Sequence, residues 1–168
     1  MRAIYAVSLD GFMARDHHDH MDWTGSLDKG LFRVLTGVGG VVGVGSTTYD
    51  LMTRSQSGGR RLFPGRRLVR ITRGRPREGE ESMSLSQFDS AFRDGWLAGG
   101  HELMKSALMN GCIDEMHVCM VPAELGRGLK APDIPMGMED QLTTRFHDRD
   151  GLYVVVRQYR RAGRHGGA

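Results

Sequence analysis

The segment VVGVGSTTYDLM, residues 41–52, restricts the possible folds more than any other part of the chain. Its first five residues form a short and nearly continuous apolar run, which is typical of a strand buried on both faces. The following STTYDLM favours a helix with Ser46 or Thr47 as its N-cap. A strand buried on both faces needs helices on both sides of its sheet, so this segment predicts an α/β fold.

The alternation of strand and helix continues along the rest of the chain. Helices are predicted at LDKGLFRVL, with Ser26 as the N-cap, at LSQFDSAF, and at HELMKSALMNG, which would end at Gly111. Strands are predicted at RAIYAVSLDG, RLVRIT, Trp96–Ala98, EMHVCMVP and LYVVVRQYR, and loops at FMARDHHDHMDW, SQSGGRRLFPGR and 74–82. We therefore expect one three-layer α/β domain over residues 1–160, with a mostly parallel central sheet flanked by helices. A charged, glycine-rich tail over 161–168 is predicted to be disordered.

The composition limits the class of protein. A length of 168 residues fits one domain, and a formal net charge of +3 argues only weakly for nucleic-acid binding. The arginines of RRLFPGRRLVRITRGRPR lack the interleaved aromatic residues of a nucleic-acid surface. No apolar stretch reaches the length of a membrane span, and the two cysteines lack metal-site spacing. We expect a reduced, cytoplasmic protein without a membrane partner. The histidines His17, His18 and His20 lie close together on a polar loop, and we expect them to be solvated and not to bind a metal.

Two glycine-rich segments mark the predicted ligand site. VVGVGSTTYD and LAGGHELM each place glycines between a strand and the first turn of a helix. Ligands of α/β sheets lie beyond the carboxyl ends of the strands, and helix N-termini attract phosphate groups. Two such ends in one small domain favour a dinucleotide, although neither segment is a Walker loop or a GxGxxG motif. The alternative is that each glycine pair only makes a tight turn.

Four segments together resemble the dihydrofolate reductases: MDWTGSLDKGLFRVLT, VVGVGSTTYDLM, FPGRRLVRITR, and AGG before a helix. Their order and spacing match the family from Ala3 to about Val121. The resemblance implies a dihydrofolate reductase-like fold and NADPH as the cofactor. It further implies reduction of 7,8-dihydrofolate to 5,6,7,8-tetrahydrofolate, with hydride transfer to C6 of the pterin and protonation at N5. The residues that share the family's register are Trp23, Asp28, Phe32, Thr36, Gly45, Thr48, Tyr49, Pro64, Gly65 and Arg66.

The resemblance also assigns roles on the substrate side. Asp28 would bind the 2-amino group and a ring nitrogen of the pterin, a planar two-point contact that a carboxylate makes well. Trp23 would order a water near the substrate, and Met21 would lie on the loop that closes over the nicotinamide. Arg66 would bind the folate α-carboxylate. Without the resemblance, Asp28 is an ordinary acid in the first turn of a helix and Arg66 a surface charge. The remaining implied substrate contacts are Tyr5, Ala6, Phe32, Met52 and Cys119.

On the cofactor side, the resemblance implies three groups of residues. Gly45, Ser46, Thr47 and Thr48 would hold phosphates. Ala98, Gly99 and Gly100 would lie near the nicotinamide and pyrophosphate, and Thr72 and Arg73 near the adenosine 2′-phosphate. The remaining implied cofactor contacts are Ala6, His101 and Glu102. Three positions depart from the family, and one of them is Met104, which stands where a tyrosine usually lies near the nicotinamide. Ser46 stands where many members have an arginine, and Cys119 stands where a threonine usually supports the catalytic acid, although a thiol is a weak donor.

Other segments favour a related function. SLDGFMA, GCIDEMHV and VPAELGRGLKAP resemble the riboflavin-pathway reductase domains, which reduce a ribosylamino-pyrimidine with the same cofactor and are often dimers. A pyrimidine reductase therefore remains an alternative, and the chain is expected to be a monomer or a homodimer. A further alternative is a nucleotide-binding relative without catalysis, which the departures at Ser46 and Cys119 favour.

Overall fold

The computed structural model describes residues 1–37, 40–54 and 65–163. The helices are α1 (Gly25–Gly37), α2 (Ser46–Arg54), α3 (Leu85–Ala91) and α4 (His101–Met109), and a 3-10 turn at Asp22–Thr24 precedes α1. The strands are β1 (Arg2–Ser8), β2 (Phe12–Ala14), β3 (Val41–Gly45), β4 (Arg67–Ile71), β5 (Ser82–Met83), β6 (Trp96–Leu97), β7 (Glu115–Val121), β8 (Leu129–Lys130), β9 (Met138–His147) and β10 (Tyr153–Arg161). Among these residues, no helix has the length and apolarity needed to cross a lipid bilayer.

In the described part of the chain, eight strands form one mixed sheet in the order β5-β4-β3-β6-β1-β7-β10-β9. The six strands from β5 to β7 run parallel, and β10 and β9 add an antiparallel edge. The short β2 and β8 pair with each other apart from the main sheet. The predicted α/β class with a mostly parallel central sheet is therefore confirmed.

The central strands send side chains into two cores, one on each face of the sheet. On β1, Ala3, Tyr5 and Val7 enter one core, while Ile4 and Ala6 enter the other, as the two-residue period of a strand requires. Helices α3 and α4 cover the first core, and α1 and α2 cover the second. This arrangement explains why the central strands are apolar on both faces.

A glycine on β3 allows close packing in the first core. A Cβ atom on Gly43 would lie 3.0 Å from side-chain atoms of both Phe88 and Leu97, so the absence of a side chain lets α3 approach the sheet. Helix α3 itself is fixed by a capping box, in which Ser84 and Gln87 bond reciprocally to each other's backbone N–H groups.

The structure corrects several predicted boundaries. Strand β9 was not predicted, because most residues of MEDQLTTRFH are exposed and an edge strand needs little apolar surface. The predicted loops at 12–23 and 74–82 contain β2 and the first residue of β5. Gly111 follows α4 with a φ of 66°, as predicted for a helix-ending glycine. Strand β10 extends to Arg161, one residue into the predicted tail, and residues 164–168 lie outside the described chain.

Candidate active site

A cavity of about 340 Å³ lies between α1, α2 and the carboxyl ends of the parallel strands. Strand β1, the loop after β2, the start of α1, helix α2, the turn between β6 and α4, and β7 all contribute to its walls. Many of the residues that the sequence assigned to one site meet in this cavity. They are Tyr5, Ala6, Met21, Asp28, Phe32, Thr48, Met52, Ala98, Gly99, Gly100 and Cys119.

Asp28 is the buried acid of this cavity. It lies in the first turn of α1 with 8% of its surface exposed. Burial raises the pKa of its carboxyl from 3.8 to about 6, whereas hydrogen bonds from Thr24 and Cys119 and the charge of Lys29 act in the opposite direction. An exposed first-turn acid would show no such effect of burial. Asp28 is therefore placed to hold a negative charge that a cationic ligand would stabilise.

Cys119, on strand β7, hydrogen-bonds to Asp28. It lies on β7 opposite Ala6 of β1 and is 1% exposed. Burial, together with the charge of Asp28, raises the pKa of its thiol above the ordinary value, so the sulfur keeps its proton. The sequence indicated a weak donor at this position, and the structure nevertheless has the thiol hydrogen-bonded to Asp28. The thiol thus takes the place of a hydroxyl beside the acid.

The two glycine-rich turns meet at one edge of the cavity. The backbone N–H of Gly45 donates to the carbonyl of Gly99 at 3.0 Å, and the Gly99–Gly100 peptide bond is cis. A Cβ atom on Gly100 would lie only 2.7 Å from Oγ1 of Thr48. The absent side chain therefore lets the N-termini of α2 and α4 come together, which leaves backbone surface open to a ligand.

A second cavity continues from these turns, between the start of α2, the end of β4 and helix α4. The hydroxyl of Ser46 donates to the carbonyl of Ile71 at 3.4 Å, which ties α2 to β4. His101 does not line either cavity, and its Nδ1 lies 3.0 Å from the carboxylate of Glu102. The predicted cofactor residues that line the second cavity are Gly45, Ser46, Thr47, Thr72, Arg73 and Glu102.

Two further predicted residues lie beside the first cavity without lining it. The indole N–H of Trp23 donates to Oδ2 of Asp19 at 3.0 Å. The guanidinium of Arg66 donates to the hydroxyl of Thr36 and lies 5.9 Å from the ring centre of Phe32. Burial and the charge of Arg33 lower the pKa of Arg66. Pro64, which completes the predicted Pro-Gly-Arg motif, lies outside the described residues.

The structure adds residues that the sequence did not single out. Lys29 and Arg33, one helical turn apart on α1, line the cavity with exposed side chains. Asp19 lines it from the loop after β2. Lys29 lies three residues before Phe32 and four before Arg33, spacings that share one face of a helix, so helical spacing from Phe32 could have identified both cations. His17 and His20 also line the cavity, and within the described residues no group of three or more His, Cys, Asp or Glu is arranged to hold a metal ion.

No protein-family model matches the chain, and no curated protein matches its sequence. Among solved structures, the chain is similar to the dihydrofolate reductase from Enterococcus faecalis complexed with NADP(H) and RAB-propyl. The two structures superpose with a TM-score of 0.75 at 20% sequence identity, over 96% of this chain and 95% of that chain. The chain therefore has the dihydrofolate reductase fold that its sequence resemblance implied.

Proposed function

We propose that the chain is an NADPH-dependent reductase that converts 7,8-dihydrofolate to 5,6,7,8-tetrahydrofolate. Hydride would reach C6 of the pterin, and N5 would be protonated. One observation carries the proposal: a buried carboxylate, Asp28, lies in the same cavity as the Gly99–Gly100 turn. A site that binds a pterin beside a nicotinamide needs both features, one for the polar edge of the substrate and one for the cofactor.

Asp28 would recognise the polar edge of the substrate and polarise its ring. Its carboxylate can accept two N–H groups from the 2-amino and ring nitrogens of a pterin in a planar, charge-assisted contact. Since burial disfavours the ionised carboxylate, a bound cationic ring stabilises it more than water does in the empty cavity. Asp28 therefore favours the protonated form of the substrate, and proton delivery to N5 follows from solvent.

The residues of the two cavities fit a dinucleotide phosphate. A side chain on Gly100 would fill the space at Thr48, and Gly99 has a φ of 88°, so this open turn favours glycine at both positions. Ser46 and Thr47 begin α2, where backbone N–H groups can hold a phosphate. Thr72 and Arg73 line the second cavity and can bind a 2′-phosphate, which favours NADPH over NADH. When bound, NADPH supplies the hydride.

The rim of the first cavity fits an anionic tail on the substrate. Lys29 and Arg33 line the cavity from α1. Arg66, just before β4, has its guanidinium against the ring of Phe32, which also belongs to α1. Together they place three cations beside the apolar wall that Phe32 and Met52 provide. The aminobenzoyl group of dihydrofolate would pack on that wall, and its glutamate carboxylates would reach the cations.

The test is oxidation of NADPH by the purified protein, with dihydrofolate and with the riboflavin-pathway pyrimidine in parallel. We expect turnover of dihydrofolate that falls by at least ~100-fold in Asp28→Asn, as for loss of a charge-assisted contact in the transition state. Asp133→Asn, at an exposed acid outside both cavities, is the matched control and should retain full activity. Full activity in Asp28→Asn would refute the assignment of the acid.

One observation favours the pyrimidine reductase as the alternative. The carboxylate of Asp10, in SLDG, accepts the backbone N–H groups of Leu125 and Gly126, in ELGRG, at 3.1 and 2.7 Å. The two segments that resemble the riboflavin-pathway domains thus contact each other. Arg66→Gln separates the candidates: it should raise the KM for dihydrofolate but leave turnover of the pyrimidine unchanged, because that substrate has no glutamate tail. Saturable NADPH binding without turnover of either substrate would favour a non-catalytic relative.

A further inference from the structure

The loop between β2 and α1 forms one wall of the first cavity and contains an unusually buried acid. Asp16, His17, Asp19, His20 and Met21 line the cavity from this loop. The side chain of Asp19 is only 1% exposed, whereas that of Arg15, four residues earlier, is 47% exposed. A carboxylate buried in an otherwise polar loop requires partners, and they are all within the loop itself.

Asp19 accepts three N–H groups from three different residues. Its Oδ2 accepts the backbone N–H of Arg15 at 2.6 Å and the indole N–H of Trp23 at 3.0 Å. Its Oδ1 accepts the backbone N–H of Met21 at 2.8 Å. The guanidinium of Arg15 donates to Asp22 at 2.5 Å and also lies 3.8 Å from Oδ1 of Asp19, so its positive charge is shared between the two acids. One side chain thus connects the start of the loop, its middle and the turn that leads into α1.

The contact to Met21 fixes an unfavourable backbone conformation. Met21 has a φ of 56° and a ψ of 35°, in the left-handed region that residues with a side chain seldom adopt. It is the only non-glycine residue with positive φ among the described residues. Its N–H is held by Asp19, and its carbonyl lies 3.2 Å from the hydroxyl of Thr24, whose single proton is shared between this carbonyl and the carboxyl of Asp28. The loop is therefore linked to the buried acid through Thr24.

We infer that Asp19 is the positioning residue of this wall: its carboxylate holds Met21 at the cavity and Trp23 beside it, and thereby sets the position of Thr24 beside Asp28. The inference rests on the proposed function for its kinetic consequence only, since the contacts themselves do not depend on the substrate. It gives the indole N–H of Trp23 a protein partner, so Trp23 acts by anchoring the wall.

The test uses Asp19→Asn, which keeps the size of the side chain but leaves a single acceptor oxygen. One of the two oxygen positions becomes an NH2 group that faces an N–H donor, so at least one contact must break. Asp16→Asn is the matched control for the spectroscopic measurements, because Asp16 lines the same cavity and, within the described residues, its carboxylate accepts only the nearby backbone N–H of His18. Trp23→Phe and the double variant Asp19→Asn/Trp23→Phe complete a double-mutant cycle.

The first measurements need no substrate. Tryptophan emission of the protein minus that of Trp23→Phe isolates Trp23 from the buried Trp96. In Asp19→Asn we expect a red shift of this emission and easier quenching by acrylamide, with no change in Asp16→Asn. Unfolding by urea should show that Asp19→Asn costs less in the Trp23→Phe background than in the native protein. Unchanged emission together with additive effects would overturn the inference, whether or not the protein reduces a pterin.

The kinetic measurement follows where dihydrofolate is reduced. We expect Asp19→Asn to raise the KM by about tenfold and to lower kcat, the loss typical of a hydrogen bond to a charged group. Asp133→Asn, at an exposed acid outside both cavities, should match the native protein. Native kinetics in Asp19→Asn would overturn the positioning role even if the emission shifts. Failure of the proposed function is distinct from this, because it would abolish turnover in the native protein and in every variant alike.

Discussion

Asp28→Asn is expected to stabilise the ligand-free protein while it removes activity. Burial holds the pKa of Asp28 at about 6 instead of the usual 3.8, so the folded protein binds the proton of this group more tightly than the unfolded chain. Protonated Asp28 therefore contributes stability below about pH 4, and this contribution is lost as the pH rises through about 6. The difference between the two pKa values corresponds to about 3 kcal/mol of unfolding free energy at neutral pH and above.

An asparagine at position 28 has no charge to desolvate, and its oxygen can still accept from Thr24 and Cys119. It also carries an NH2 group that needs an acceptor, so the gain is expected to be smaller than the full difference, roughly 1–3 kcal/mol near pH 8. The assay is urea unfolding of the native protein and of Asp28→Asn between about pH 4 and 8. The native protein should lose stability across this interval relative to the variant, and the two curves should converge at the acidic end.

A constant difference in unfolding free energy at every pH would refute this reasoning, because it would mean that burial does not penalise the ionised carboxylate. So would a variant that is less stable near pH 8. Saturating substrate provides an internal check. A ligand that pairs with the carboxylate should restore the stability of the native protein at neutral pH but should have little effect on Asp28→Asn. Asp28 would then lower the stability of the ligand-free protein while providing the charge that the ligand needs.

Three other substitutions test the backbone of the site. Gly100→Ala should lower the unfolding free energy by about 2 kcal/mol and weaken nucleotide binding, because its Cβ would overlap Oγ1 of Thr48. Adding Thr48→Ala removes this overlap and should recover the lost unfolding free energy, as measured by urea unfolding. Gly128→Ala should destabilise the protein by at least ~2 kcal/mol, since its Cβ would overlap the carbonyl oxygen of Ala14, and thermal unfolding measures this loss. Arg73→Gln should raise the KM for NADPH about tenfold and leave the KM for NADH unchanged, as judged from initial rates.

The parts of the fold that the sequence predicted are those whose pattern is set by burial. The strands β1, β3 and β7 are apolar on both faces because helices cover both sides of the sheet. Strand β9 escaped detection for the opposite reason, since its residues face solvent at an edge and their polarity is that of a loop. Hydrogen bonds to β10, across the short loop at 148–152 that contains Asp150 and Gly151, make it a strand.

The same physical distinction applies to the candidate site. Asp28 and the glycine turns could be placed because their neighbours in sequence reveal the helix and the strands that carry them. Asp19 could not, because its burial comes from contacts that form only when the loop has folded back on itself. The partners of Arg66 also depend on tertiary packing, which brings it against Thr36 and Phe32 of α1.

The contacts of Asp10 bear on how much the SLDG and ELGRG segments say about the substrate. Asp10 receives N–H groups from Leu125 and Gly126 and the hydroxyl of Ser8, and it does not line either cavity. Gly128 lies against the backbone at Ala14, where β2 and β8 pair. These contacts act on the scaffold, because they fasten the loop before β8 to the turn after β1, whereas Met13 and Ala14 of SLDGFMA line the cavity. The contacts that favour a pyrimidine reductase are thus scaffold contacts, and we propose that the substrate itself is selected by Asp28, Lys29 and Arg33, which line the cavity.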